Sequence, residues 1–160
     1  MSHEHYNQNY LYKERWFSYI YQIEFLKNIN PSSVLEIGIG TGVLKPMIKA
    51  AFPNCKYIGL DIDLTLNPDV CADVISIPIK DKQIDVIIIC QVLEHIPYEN
   101  FINILKELNR VTKKQIILSI PNASYFFYMR IYKLRKIFPT LWNGFSIPNL
   151  FPEEHFFEDH

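Results

Sequence analysis

The chain has 160 residues, 49% hydrophobic and 21% charged, with a formal net charge of −1. That suits one globular domain with a single core and leaves no electrostatic footprint for nucleic acid. No apolar run approaches the roughly 18 to 20 residues that cross a bilayer, and the polar start MSHEHYNQNY lacks a signal peptide's apolar stretch, so a cytoplasmic protein without a transmembrane segment is expected.

Residues 10–28 place Trp16, Phe17, Ile20 and Ile23 at helical spacings, which predicts an amphipathic helix broken by Asn30-Pro31-Ser32. Residues 33–37 form a short apolar strand that runs into Gly38, Gly40 and Gly42, three of the chain's five glycines. Residues 43–52 read as a helix ending at Pro53-Asn54, and 56–60 as a second strand closed by Asp61. A short third strand is predicted over 70–75. IDVIIIC, 84–90, is a continuous β-branched run, the mark of a strand buried on both faces of a parallel sheet. Pro97 suits a helix start, and Phe101, Ile104, Leu105, Leu108 and Val111 form that helix's apolar stripe. QIILSI, 115–120, is a fifth strand stopped by Pro121. Residues 124–138 predict a helix carrying aromatics with Arg130, Lys133, Arg135 and Lys136, and no sixth or seventh strand is evident beyond it.

Strands alternating with helices or short crossovers indicate an α/β fold, a Rossmann-like doubly wound parallel sheet. Ligands of such sheets sit at the carboxyl ends of the strands, where the glycines lie. Three glycines in five positions suit a flat ligand resting on bare backbone. The dinucleotide fingerprint Gly-x-Gly-x-x-Gly is incomplete, because Val43 stands at its third glycine, and no Lys-Ser or Lys-Thr follows to make a Walker loop. Glu36, an acid at the strand end, is poorly placed for a pyrophosphate and well placed for a cationic ligand. Asp61 and Asp63 form an Asp-x-Asp, but no sugar-nucleotide feature accompanies it, and Asp63 is expected to face solvent. Cys55, Cys71 and Cys90 contain no Cys-x-x-Cys pair, so they read as small buried apolar residues and no metal site is indicated.

In chain order, EIGIGTG, YIGLDID, CADVISIPIKDKQIDVIIICQVLEHI, FINILKELNRV and IILSIPN resemble the successive motifs of the class I S-adenosylmethionine-dependent methyltransferases, over roughly residues 10–122. The resemblance implies S-adenosyl-L-methionine as cofactor and S-adenosyl-L-homocysteine as product. It implies that Gly38, Gly40 and Gly42 lie against the adenosine and methionine portions. Asp61 is then the acceptor for both ribose hydroxyls, with Ile62 beside it, and Asp73 with Val74 reads the adenine edge. Glu36 would reach the methionine amino group, Thr41 its carboxylate, and Cys90 and Gln91 would line the methionine tail. His95, in Leu93-Glu94-His95, stands where an acceptor would approach and is the candidate general base; the alternative is a role in ordering the loop.

Cys90-Gln91-Val92-Leu93 replaces the Asn/Asp-Pro-Pro-Tyr/Phe of base and glutamine methylating enzymes, so the small-molecule branch is indicated, with a small-molecule acceptor and no nucleic acid. The basic, aromatic segment 125–137 is read as a cap on the acceptor pocket or a helix docked on the sheet. The family's sheet has seven strands, the last two an antiparallel hairpin; this chain is expected to lack that hairpin and to be C-terminally truncated. The expected layout is one domain, 1–160: an N-terminal helix (10–30), a cofactor-binding core (33–122) and an aromatic, basic cap or tail (123–160). The fifth strand would then be an edge, covered by the aromatic tail or by a second chain in a homodimer. A non-catalytic methyltransferase-like binding protein and a nicotinamide-dependent oxidoreductase are the alternatives.

Overall fold

In the computed structural model, which describes residues 11–121, 126–132 and 145–146, β1 (Ser33–Ile37) is buried along its whole length and paired on both sides. Around it run β2 (Lys56–Asp61), β3 (Val70–Cys71), β4 (Ile84–Cys90), β5 (Thr112–Pro121), β6 (Phe126–Tyr132) and β7 (Phe145–Ser146). Among the described residues these make one seven-stranded sheet of order β3-β2-β1-β4-β5-β6-β7, parallel from β3 to β5. The chain winds from β1 outward to β2 and β3, then returns to β4 on the other side. That reversal opens a crevice at the carboxyl ends of β1 and β4.

The strand sequences are apolar on both faces because both faces are covered. Leu35, Ile87, Ile89, Ile116 and Leu118 pack on one side with Ile104, Leu108 and Val111 of α3 (Phe101–Val111). Val34, Val86, Ile88 and Ile117 point to the other, against Tyr19, Ile23 and Leu26 of α1 (Lys13–Ile29) and Leu44 and Ile48 of α2 (Leu44–Ala51). Each buried isoleucine contributes about 2 kcal/mol, so the period-two split of β4 alone anchors both layers. At the other end of β4, Asp85 ties the sheet's floor: it accepts from the Ser32 N–H (2.9 Å) and Oγ (2.7 Å) and pairs with Lys114 at 2.9 Å. Burial pushes its carboxyl up, but Lys114 and Ser32 outweigh that and bring it down to about 2.

Several expectations are corrected. The third strand stops at Cys71, since Asp73–Ser76 closes a turn, with the Ser76 N–H on the Asp73 carbonyl (3.0 Å). The helix expected from Pro97 starts at Phe101, after short 3-10 turns at Leu93–His95 and Tyr98–Asn100. In α1 the apolar stripe is only partly the buried face: Ile23 is buried, but Trp16 and Ile20 are 42% and 48% exposed, while Ser18, Tyr19 and Gln22 are buried. Of the cysteines, Cys55 is buried, Cys90 half-buried and Cys71 exposed.

The largest correction lies after Pro121. Residues 126–132 form a strand, not part of a helix, antiparallel to β5 from Pro121↔Phe126 to Gln115↔Tyr132, and β7 is antiparallel to β6. Two antiparallel strands therefore follow β5, where no further strand was expected. FFYMRIY is rich in aromatic and β-branched residues, which favour strands, and the ten-residue β5 offers an unpaired edge for them. That edge is covered by the aromatic segment itself, which closes it to a second chain. Residues 133–138 of the predicted helix lie outside the described residues.

Candidate active site

The crevice holds a cavity of about 710 Å³. Its floor is the end of β1 with the glycine loop, one wall is the end of β2 with residues 72–75, and the other is the end of β4 with the following 3-10 turn. α1 lies across it, contributing Arg15, Ser18, Tyr19 and Gln22.

Gly38 adopts φ 78°, in the left-handed region, and a Cβ there would lie far inside contact distance of Val92 Cγ2. This glycine is required for the loop to pack on the β4 end, so the ligand is not the sole reason for a bare backbone. Gly42, at φ 71°, has open space where a Cβ would go; its N–H closes a turn on the Ile39 carbonyl at 2.8 Å. Gly38 and Gly40 line the cavity, whereas Thr41 and Gly42 are not on its wall. The Thr41 hydroxyl instead faces the Tyr19 phenol.

Asp61 is 8% exposed and held by backbone. Its Oδ2 accepts from the Ile39 N–H (2.9 Å) and its Oδ1 from the Asp63 N–H (3.0 Å). Each carboxylate oxygen keeps a further lone pair, so a fixed, doubly accepting group borders the cavity. Asp63 does not simply face solvent; it caps the Leu64–Leu66 turn, accepting from Thr65 N–H and Oγ1. Beyond Asp61, the apolar side chains of Ile62, Val74 and Ile75 line the cavity together with Asp73. Asp73 Oδ1 accepts from the Ile75 N–H at 3.0 Å, so it shapes the loop as well as lining the cavity. The loop is fastened from behind by Arg110, which donates to the carbonyls of Ile77 (2.9 Å) and Ile79 (2.8 Å) and to Glu107 and Asp81.

Glu36 is 5% exposed and accepts a short hydrogen bond from the Tyr57 hydroxyl. Burial pushes its carboxyl up to about 8 against the pull of that bond; the Asp61 charge adds to the rise and Lys45 opposes it. A buried acid poised in this way becomes a carboxylate readily when a cation arrives.

On the opposite wall, Gln91 takes φ 60°, unusual for a side-chain-bearing residue and costing about 1 kcal/mol. Its N–H is held by the Ser119 carbonyl of β5 at 3.1 Å, which redirects the chain from β4 into the 3-10 turn. Burial pushes the Cys90 thiol up to about 12, so it packs as a neutral group. His95 is exposed at the cavity mouth, its N–H on the Val92 carbonyl at 3.0 Å. Beside it, burial raises the Glu94 carboxyl, opposed by the charges of His95 and Arg15.

Of the residues expected at the site, Glu36, Gly38, Gly40, Asp61, Ile62, Asp73, Val74, Cys90, Gln91 and His95 all line this one cavity. The α1 residues were not foreseen. Their signal was a polar series, Arg15, Ser18 and Gln22, on the face that a core helix would make apolar; Gln22 Nε2 donates to Ser18 Oγ at 3.0 Å inside the packing.

A family model described as a methyltransferase domain matches residues 35–120. This chain belongs to the class I S-adenosylmethionine-dependent methyltransferases. The family's cofactor is S-adenosylmethionine, and the matched span covers the glycine loop, the acidic end of β2 and the β4 wall. The chain is 29% identical over 114 residues to the uncharacterized protein MJ0638 of Methanocaldococcus jannaschii, a match covering 66% of this chain and 48% of that protein. The chain thus spans about half the length of the curated relative it matches. Two crystal structures share the fold. A SAM dependent methyltransferase from Archaeoglobus fulgidus aligns at TM-score 0.54 and 22% identity, over 73% of this chain and 60% of its own. The PH0226 protein from Pyrococcus horikoshii OT3 aligns at TM-score 0.57 and 18% identity, over 70% and 57%. Among the described residues no helix is long and apolar enough to cross a membrane, and no three His, Cys, Asp or Glu side chains group as a metal site requires.

Proposed function

We propose that this methyltransferase transfers a methyl group from S-adenosylmethionine to a small-molecule acceptor, within the cavity at the carboxyl ends of β1 and β4. The observation that carries the reading is the presence of two buried acidic side chains, Glu36 and Asp61, in one cavity with the apolar Ile62, Val74 and Ile75. Their chemistry fits the cofactor at both ends. Asp61, fixed by two backbone N–H groups, accepts the paired ribose hydroxyls; Glu36 meets the cationic amino group; Ile62, Val74 and Ile75 sandwich the adenine with Asp73 at its amine edge. Gly38 and Gly40 keep the loop flat beneath the adenosine, and Cys90 and Gln91 wall the methionine portion.

When bound, the sulfonium supplies a methyl group already activated for in-line displacement. The chain's remaining task is to orient the acceptor and exclude water, which α1 does by lying across the cavity. His95 accepts the acceptor's proton where the acceptor carries one. Cys90-Gln91-Val92-Leu93 on the β4 wall supports a small-molecule acceptor in place of a nucleic-acid base. Calorimetry with S-adenosylhomocysteine and with NADH tests the reading. Binding of the first alone is expected; binding of NADH alone would refute it.

A further inference from the structure

Glu36 is set by a contact reaching it from outside the cavity. β1 and β2 pair with Val34 opposite Tyr57 and Glu36 opposite Gly59, which puts Tyr57 and Glu36 on the same face of the sheet. The Tyr57 phenol reaches along that face to Glu36 Oε2, passing over Gly59. A Cβ on Gly59 would lie 3.0 Å from the Tyr57 hydroxyl and 2.8 Å from Ile39 Cγ2, so the missing side chain is what admits the phenol. The Gly59 N–H is itself held by Asp69 Oδ2 at 2.8 Å. Asp69 pairs with Lys45 at 2.9 Å, and the Lys45 ammonium stands 5.3 Å from the centre of the Tyr57 ring.

We infer that Tyr57 is a positioning residue for the cofactor's ammonium group: its phenol hydrogen-bonds one oxygen of Glu36 and so prepares the buried carboxylate to receive a cation. The inference rests on the cofactor reading above and adds a residue that lies outside the cavity lining. Glu36 is faced by Tyr57 and Asp61 from β2, Lys45 from α2, Tyr19 from α1 and Cys90 from β4, with Arg15 and Glu94 on the same cavity. Of these, Tyr57 is the group whose hydrogen bond to Glu36 favours the ionised form.

The proton balance is explicit. Burial holds Glu36 mainly as the acid at pH 7 in the empty pocket. Pairing with an ammonium group converts it to a carboxylate, and its proton leaves to solvent while the ammonium and the phenol keep theirs. Affinity therefore rises with pH until Glu36 is ionised before binding, near pH 8. Removing the phenol takes away one stabiliser of the carboxylate and moves that window upward.

The test is S-adenosylhomocysteine calorimetry on the wild type and Tyr57→Phe from pH 6 to 9, in buffers of different ionisation enthalpy. The wild type is expected to release up to about one proton per ligand at pH 7. Tyr57→Phe is expected to bind about tenfold more weakly at pH 7, with the gap closing by pH 9. An equal loss at every pH, or no loss, would overturn the inference. A second readout needs no ligand: carbon-13 titration of the Glu36 carboxyl should shift its midpoint upward by about one pH unit in Tyr57→Phe, and an unmoved midpoint would overturn it too. A wild-type protein that binds no S-adenosylhomocysteine at any pH, yet shows that carboxyl shift, would sink the cofactor reading and leave the Tyr57–Glu36 link standing.

Discussion

Gly38→Ala probes the joint on which the site depends. The residue sits at φ 78°, where an alanine costs about 1 to 2 kcal/mol. Its new methyl would also collide with Val92 Cγ2, so the Val92 side chain must shift. Overpacking of this kind costs about 1 to 3 kcal/mol, giving a total of about 2 to 5 kcal/mol. For a domain of this size that corresponds to a fall in Tm of roughly 5 to 15 °C. Val92 leads into the turn carrying Glu94 and His95, so the displacement should also weaken ligand binding. Thermal unfolding followed by circular dichroism measures the first effect and S-adenosylhomocysteine calorimetry the second. The double variant Gly38→Ala/Val92→Ala separates the causes: relieving the clash should recover about half of the loss and leave the backbone cost. An unchanged Tm in the single variant, or a double variant no better than the sum of its parts, would refute the reasoning.

Glu36 holds its proton more tightly folded than unfolded, so wild-type stability should fall as pH rises from about 4.5 toward 8, by up to about 1.4 kcal/mol per pH unit. Glu36→Gln cannot titrate, so its Tm should decline less over that window in ligand-free protein; parallel pH profiles would contradict the buried acid. His95→Gln should lower turnover at least tenfold while leaving S-adenosylhomocysteine affinity unchanged, provided that the acceptor loses a proton. Full turnover in this variant on such an acceptor would assign His95 to loop ordering instead.

How far the sequence could be read depended on where the deciding contact lay. The central strands were legible because burial on both faces leaves a continuous apolar run, as in IDVIIIC, which no surface element imitates. The cavity residues were legible where a strand end meets a fixed motif, as with Glu36, Gly38 and Asp61. α1 was misread because the helix presents Ser18 and Gln22 to the interior, and helical spacing of Trp16 and Ile20 then points to the wrong face. Strand β6 was missed because its state is set by antiparallel pairing with β5, a tertiary contact that overrides the helical spacing of its own residues. Tyr57 carries no motif of its own; its role follows from the β1–β2 register and from the gap at Gly59.

The central claim is that Asp61 and the glycine loop form an adenosyl site. Titration calorimetry with S-adenosylhomocysteine on the wild type and Asp61→Ala tests it most directly. The wild type should bind, and the variant should bind at least tenfold more weakly, a loss of about 1.4 kcal/mol or more. Equal dissociation constants for the two proteins would contradict the account.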